Sequence, residues 1–354
     1  MEPEVILEEK GAAGVITLNR PKALNALTLP MVREIMPRLR HWAADPAITR
    51  VIIKAAGEKA FCAGGDVRWL AESGSSGRVG DALAFWREEY VLNAYIGSFP
   101  KPYVSLIDGI CMGGGFGLSA HGAHRVAGDR YLFAMPEVGI GLFPDVGGTH
   151  VLPRLAGAFG TYLALTAARI RAADAFAVGL ATDVVPSAAF PALEEALIAG
   201  GEVERTIADH RIDPGPGPLA ERRAFISAAF SRPDVLSILA ALDEAAPLGG
   251  PDGEFAAATA ADIRTKSPTS LSLAMEQIRR GPALDLAGCL KLEYRAVSRV
   301  AAGHDFYEGV RAVLIDRDHA PRWRPATLAE VDPAVIAAHF GPVDDELELL
   351  VPGT

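Results

Sequence analysis

An α/β core followed by a helical C-terminal region is the fold class that this 354-residue sequence predicts. Three observations carry it. Short β-branched runs alternate with helix-compatible stretches through roughly the first 200 residues. The stretch DPGPGP at 213–218 breaks the chain as a linker does. From Ala220 onward the composition turns helical. The division falls near residue 210, giving a 1–210 core and a 211–354 helical region. Half of the residues are hydrophobic, enough to bury a large core without disulfides or metals.

Taken in order, Glu4 to Glu9 and Gly14 to Leu18 flank the turn signal Lys10-Gly11 and predict a hairpin. NRPKALNAL (19–27) leads into a helix with Thr28 as N-cap and Met31, Ile35 and Leu39 on its apolar side. Val51-Ile52-Ile53 reads as a buried strand running towards AFCAGGD (60–66), whose small residues let a ligand approach the backbone. SGSSGRVG (73–80) predicts a flexible loop, and Asp81 to Tyr95 a helix. After Pro100 and Pro102, Tyr103 to Ile107 predicts a strand that enters the glycine cluster Gly113-Gly114-Gly115. Further on, Ser267 caps a helix with Pro268 at its first position.

Composition narrows the function. With 44 acidic against 34 basic residues and a net charge of −10, the chain is unsuited to wrapping a nucleic acid, which needs clustered cations. No apolar run approaches the roughly 20 residues that span a bilayer, and the acidic start MEPEVILEEK is unlike a basic leader. Cys62, Cys111 and Cys289 form neither a disulfide framework nor a zinc pattern. A soluble, cytoplasmic protein without a metal site is expected.

The chemistry concentrates between Gly113 and Gly148. A glycine turn after a strand and before a helix either packs the helix tightly or points bare amides at a developing negative charge. AFCAGGD is a second such segment, so two loops can each supply a donor. Glu137 and Asp145, in MPEVGIGLFPDVGG, either cap turns or serve as desolvated carboxylates with pKa values raised into the range useful for proton transfer.

Other motifs fail. Gly115, Gly117 and Ala120 fit G-x-G-x-x-A, with Glu137 as the acidic follower, yet they lie far from a first βα unit. Gly117-Leu118-Ser119-Ala120-His121 is not a serine elbow. His121 and His124 lack a third metal ligand at recognised spacing, and Cys62 and Cys111 have no activating neighbour in sequence. Tyr294, Arg295, Phe306, Glu308, Arg311 and Arg317 form an amphipathic region that either covers the core or offers cations to a polyanion.

Together, NRPKALNAL, AFCAGGD, GGGFGLSAHG and MPEVGIGLFPDVGG resemble the crotonase (enoyl-CoA hydratase/isomerase) superfamily. The last two, with LEYRAVSRVAAGHDFYEGVRAVLIDRD and PRWRP, look like its 3-hydroxyisobutyryl-CoA hydrolase branch. The resemblance spans about residues 5 to 325. It implies a crotonase-type ββα superhelix, an acyl-CoA substrate that brings coenzyme A with it, no separate cofactor, and room for a homo-oligomer.

By position it assigns oxyanion-hole amides to Ala63 and Gly114, and a substrate-contacting carboxylate to Glu89 in REEY. Hydratases of the superfamily use two glutamates; the first place is Gly117 here and the second is Glu137. Paired addition to a double bond loses a partner, while thioester hydrolysis keeps a complete set. Hydrolysis of a short 3-hydroxyacyl-CoA is therefore expected, most specifically 3-hydroxyisobutyryl-CoA in valine breakdown. Hydratase or isomerase activity on the same scaffold is the alternative. Glu137 would act as nucleophile or general base, and Asp145 would assist proton transfer.

Overall fold

A computed structural model of the chain describes residues 2–349. Met1 and residues 350–354, the end of the expected 211–354 region, lie outside it.

β1 (Val5–Lys10) and β2 (Ala13–Leu18) form the expected antiparallel hairpin, turning at Gly11 with φ +52°. β2 then pairs in parallel with β3 (Arg50–Ala55), β3 with β5 (Tyr103–Ile107), β5 with β7 (His124–Ala127), and β7 with β10 (Asp183–Val184). These make a six-stranded sheet. β4 (Ala60–Cys62), β6 (Ile110–Met112) and β8 (Leu132–Ala134) run parallel in a second sheet, closed by the antiparallel β9 (Ile170–Arg171).

β3, β5 and β7 of the first sheet each hand the chain to a short strand of the second, and helices follow. The pairs β3–β4, β5–β6 and β7–β8 are successive ββα turns. This repeat brings the ends of β4, β6 and β8 side by side. The glycine segments and both loop carboxylates lie just after those ends.

α1 (Leu29–Ala44) is capped by Thr28, whose hydroxyl accepts the Met31 amide at 3.3 Å, and it buries Met31, Ile35 and Leu39 as predicted. Ser267 caps the helix Pro268–Arg280 in the same way. One expectation fails. Ser73 to Gly80 is not an open loop: residues 73–75 end α2 (Val67–Ser75), where Ser73 is buried and Gly74 has no room for a side chain beneath Tyr307. A tertiary contact overrides the glycine and serine composition. α3 (Val79–Gly97) follows, buried on nearly every side.

Residues 211–217 hold neither helix nor strand, and helices dominate after them. One hydrophobic cluster joins Ile16, Phe116 and Phe143 to Leu290, Val297 and Phe306, so the helical region closes over the core. Among the described residues no helix is long and apolar enough to cross a membrane.

Candidate active site

The NRPKALNAL stretch is a brace for the β4 loop. Leu24 and Asn25 adopt positive φ (+52° and +55°). The buried Asn25 amide donates to the carbonyls of Ala56 and Ala60, each at 2.9 Å, and its oxygen accepts the Arg20 amide at 2.8 Å. Leu27 then pairs with Gly65 as an isolated parallel bridge: the Leu27 amide donates to the Gly64 carbonyl, and the Asp66 amide to the Leu27 carbonyl, both at 2.9 Å.

This brace corrects the first expected donor. The Ala63 amide donates to the Leu24 carbonyl at 3.0 Å and is spent inside the loop. Gly65, at the centre of the bridge, turns its own N–H away from Leu27 and has no acceptor among the described residues. It lies against Gly114, where a Cβ would come within 3.2 Å of the Gly65 nitrogen. Gly114 opens α4 (Gly114–Ser119), and its first-turn amide is also unpaired. The two bare amides are those of Gly65 and Gly114. Gly113, at φ +45°, makes the turn that aims them.

Three carboxyls line the same cavity, about 60 Å³ in volume. Glu137 begins a single 3-10 turn after Pro136, is 4% exposed, and leaves Oε2 without a partner. Asp145 is equally buried and accepts the Tyr90 hydroxyl at 2.7 Å. Glu89 projects from α3 beside Gly114, with Oε1 unpartnered. Its neighbour Glu88 instead faces solvent and grips Arg33 at 2.6 and 2.8 Å. Helical periodicity separates the adjacent pair.

Burial raises all three pKa values. Glu89 is pushed well above the usual carboxylate range, first by desolvation and then by Asp145, Glu137 and Glu293. Glu137 is likewise raised by desolvation and by Asp145. Asp145 rises to about 7 through burial, with the Tyr90 bond holding it down. Crowded carboxyls in an apolar cavity do not all ionise near neutrality, so one can carry charge while a neighbour keeps its proton, which suits acid/base work.

Sequence reasoning missed Glu293, which lies outside the cavity lining and supports its loop. This fully buried carboxylate, on the helix Leu286–Val300, accepts the Gly147 amide at 2.8 Å and the Thr149 amide at 2.9 Å. Gln277 donates to the Pro144 carbonyl at 3.0 Å and to the Thr149 hydroxyl at 2.7 Å. The helical region therefore holds the Asp145 loop. Only an unexplained acid in the apolar register of LEYRAV could have signalled Glu293.

Gly117 settles what space a glutamate there would have. A Cβ would meet the Val146 Cβ at 2.8 Å and the Asn93 amide at 2.9 and 3.0 Å. The remaining candidates serve structure. Burial pushes the Cys62 and Cys111 thiols up to about 12. Arg295 pairs with Glu346, and Arg311 with Glu308, Asp316 and Asp318. Tyr294 stacks edge-on to Tyr90 under Arg87, and Phe306 packs on Trp86.

Fold and site define a class, and the chain belongs to the enoyl-CoA hydratase/isomerase family, whose model matches residues 13–340. Among curated relatives, it is 47% identical to the 3-hydroxyisobutyryl-CoA hydrolase, mitochondrial, of Danio rerio, over 97% of this chain and 90% of that protein. It is also 47% identical to the Homo sapiens protein of the same name, over 95% and 88%. Among solved structures, a carnitinyl-CoA dehydratase from Mycobacterium thermoresistibile superposes with TM-score 0.92 at 43% identity, covering 100% of both chains. An enoyl-CoA hydratase from Rhodobacter sphaeroides 2.4.1 gives 0.91 at 40%, covering 98% of this chain and 100% of that one.

Proposed function

We propose that this protein hydrolyses a short 3-hydroxyacyl-CoA thioester, with 3-hydroxyisobutyryl-CoA, yielding 3-hydroxyisobutyrate and coenzyme A, as the first candidate substrate. The observation that carries this reading is Gly117. Its surroundings leave no room for a second glutamate on that side, while Glu137 shares one cavity with the bare amides of Gly65 and Gly114. One carboxylate plus two N–H donors suits acyl transfer, whereas addition of water across a double bond calls for a pair of acid/base groups.

In this mechanism the thioester carbonyl oxygen lies between the Gly65 and Gly114 amides, which stabilise the tetrahedral oxyanion. Glu137 supplies the attack: its carboxylate adds to the carbonyl carbon, giving an anhydride that water cleaves, or it takes a proton from the water that adds. The C–S bond breaks, and the thiolate leaves with a proton from Asp145. Tyr90 fixes that carboxyl. Glu89 hydrogen-bonds the 3-hydroxyl of the acyl group. These side chains and amides suffice without metal or separate cofactor, since coenzyme A arrives with the substrate.

The test is thiol release over a panel of short 3-hydroxyacyl and unsubstituted acyl-CoA esters, run beside Glu137→Gln. Equal turnover of unsubstituted esters would sink the role given to Glu89. The second reading is hydration or isomerisation, favoured by what the two superposed structures are called. Loss of enoyl absorbance from crotonyl-CoA without free thiol would establish it. We further propose a place in branched-chain amino-acid breakdown and, from the three free cysteines, a cytoplasmic location. The curated relatives are named as mitochondrial, and cell fractionation decides between the compartments. A homo-oligomer remains part of the proposal, read by light scattering.

A further inference from the structure

A second cavity, about 310 Å³, shares no lining residue with the active site yet touches its loop. Four basic side chains line it, Arg125, Arg154, His121 and His150, and among the described residues no Asp or Glu does. Arg125 donates to the carbonyls of Leu180 and Gly122 at 2.8 and 3.0 Å. Arg154 donates to those of His150 and Leu284 at 2.6 and 2.8 Å. Neither has a carboxylate partner among the described residues. Carbonyls fix the direction of a guanidinium without cancelling its charge, and N–H groups are left over on each. The His150 Nδ1 is buried with no partner. Leu155, Leu180 and Leu286 supply the apolar part of the wall.

His121 connects this cleft to the chemistry. Its Nε2 bonds the Val146 carbonyl at 2.8 Å, directly after Asp145. Val146 is a β-branched residue at φ +50°, a conformation that its surroundings must enforce. Burial, then His150 and Arg125, hold the ring down to about 4; Arg125 is the permanent cation in this crowding, and Asp183 and Asp285 act on Arg125 and His150 from outside the lining. An anion in the cleft would relieve that crowding and favour the ring as donor to Val146.

We propose that this cleft binds a short-chain carboxylate, its head held by Arg125, Arg154 and His150 and its aliphatic body against the leucines, and that occupancy acts on Asp145 through the His121–Val146 hydrogen bond. Inorganic phosphate would satisfy the cations but leave the leucines unused. The coupling rests on the thioesterase reading given above; the binding does not.

The experiment titrates the full-length protein calorimetrically with sodium isobutyrate and, separately, with inorganic phosphate. Wild type is compared with Arg154→Gln/His150→Gln, whose basal thiol release stays unchanged. Isobutyrate is expected to bind wild type at least tenfold more tightly than the double variant, and more tightly than phosphate does. At saturating thioester, where competition in the active site is overcome, isobutyrate is expected to change kcat at least twofold in wild type only. No binding, equal affinity in the two proteins, or tighter phosphate would overturn the ligand assignment. Binding with unaltered kcat would overturn the coupling. Should no acyl-CoA release thiol, the functional reading fails while the calorimetry still decides the cleft.

Discussion

Glu293 accepts the amide of Gly147 at 2.8 Å although it lies 146 residues further along the chain. Its other oxygen takes the Thr149 amide, so one side chain of the helical region fixes the loop that carries Asp145. Preorganisation of this kind matters because misplacing a reacting group by about 1 Å can cost about 100-fold in rate.

Glu293→Gln turns one acceptor into an NH2 that faces a backbone N–H. The loop loses a partner and gains a clash. We expect kcat to fall about 10- to 100-fold with KM little changed, read in the thiol-release assay. A variant with wild-type kcat would show that the loop holds its shape without the carboxylate.

Glu137→Gln keeps the shape of the side chain but removes the carboxylate that attacks or activates water. Thiol release should drop by about 1,000-fold or more, while the fold survives, because a neutral amide relieves charge crowding among Glu137, Glu89 and Asp145. Hydrolysis in 18-O water during a single turnover separates the two roles: label in Glu137 marks the anhydride, and label confined to product marks general base catalysis.

Tyr90→Phe removes the hydroxyl that Asp145 accepts. That bond holds the Asp145 pKa down from where burial alone would leave it, so its loss moves the value upward. The pH–rate limb that reports Asp145 should shift to higher pH, in a variant that still folds. An unmoved limb would separate Asp145 from the titration that governs rate.

How far the sequence could be read follows the range of the interactions. Thr28 and Ser267 were legible as caps, and the strands before AFCAGGD and GGGFGLS as strands, because their determinants are local. Glu137 and Asp145 were legible from their apolar, glycine-lined setting, Glu89 and Gly114 through the resemblance of their motifs, and the fold placed all four around one cavity. The exchange of Ala63 for Gly65 depended on which amide the Leu24 and Leu27 carbonyls and the bridge leave over. The helical end of 73–75 depended on Tyr307, and Glu293 on a loop far away in sequence. None of these partners is adjacent, so no window of the chain contains the information.

Gly117→Ala tests the crowding that excludes a second glutamate. The added methyl meets Val146 and the Asn93 amide at 3.0 Å or less, and overpacking of this kind costs about 1–3 kcal/mol. A lowered thermal midpoint is expected. Gly117→Glu should fail more severely and should not create hydration of crotonyl-CoA. Appearance of that activity in the single variant would mean the space opens readily.

Stability against pH follows from the buried carboxyls, with the sign set by linkage. Burial raises Asp145 from 3.8 to about 7 and Glu293 from 4.5 to about 8, so the folded protein keeps protons that the unfolded chain has released. Their stabilising contribution is whole below the unfolded values and is lost as pH rises through the folded ones. His121 acts in the opposite direction, but only between about 4 and 6.5. Above that window the carboxyls act without this opposition, and the thermal midpoint should fall as pH rises from about 6.5 to about 8. Asp145→Asn removes one of these raised carboxyls, which include Glu89 and Glu137, and should flatten the slope. Calorimetry that finds the midpoint climbing over this interval would mean the carboxyls are already ionised in the folded state, and the proton assigned to the leaving thiolate would have no source.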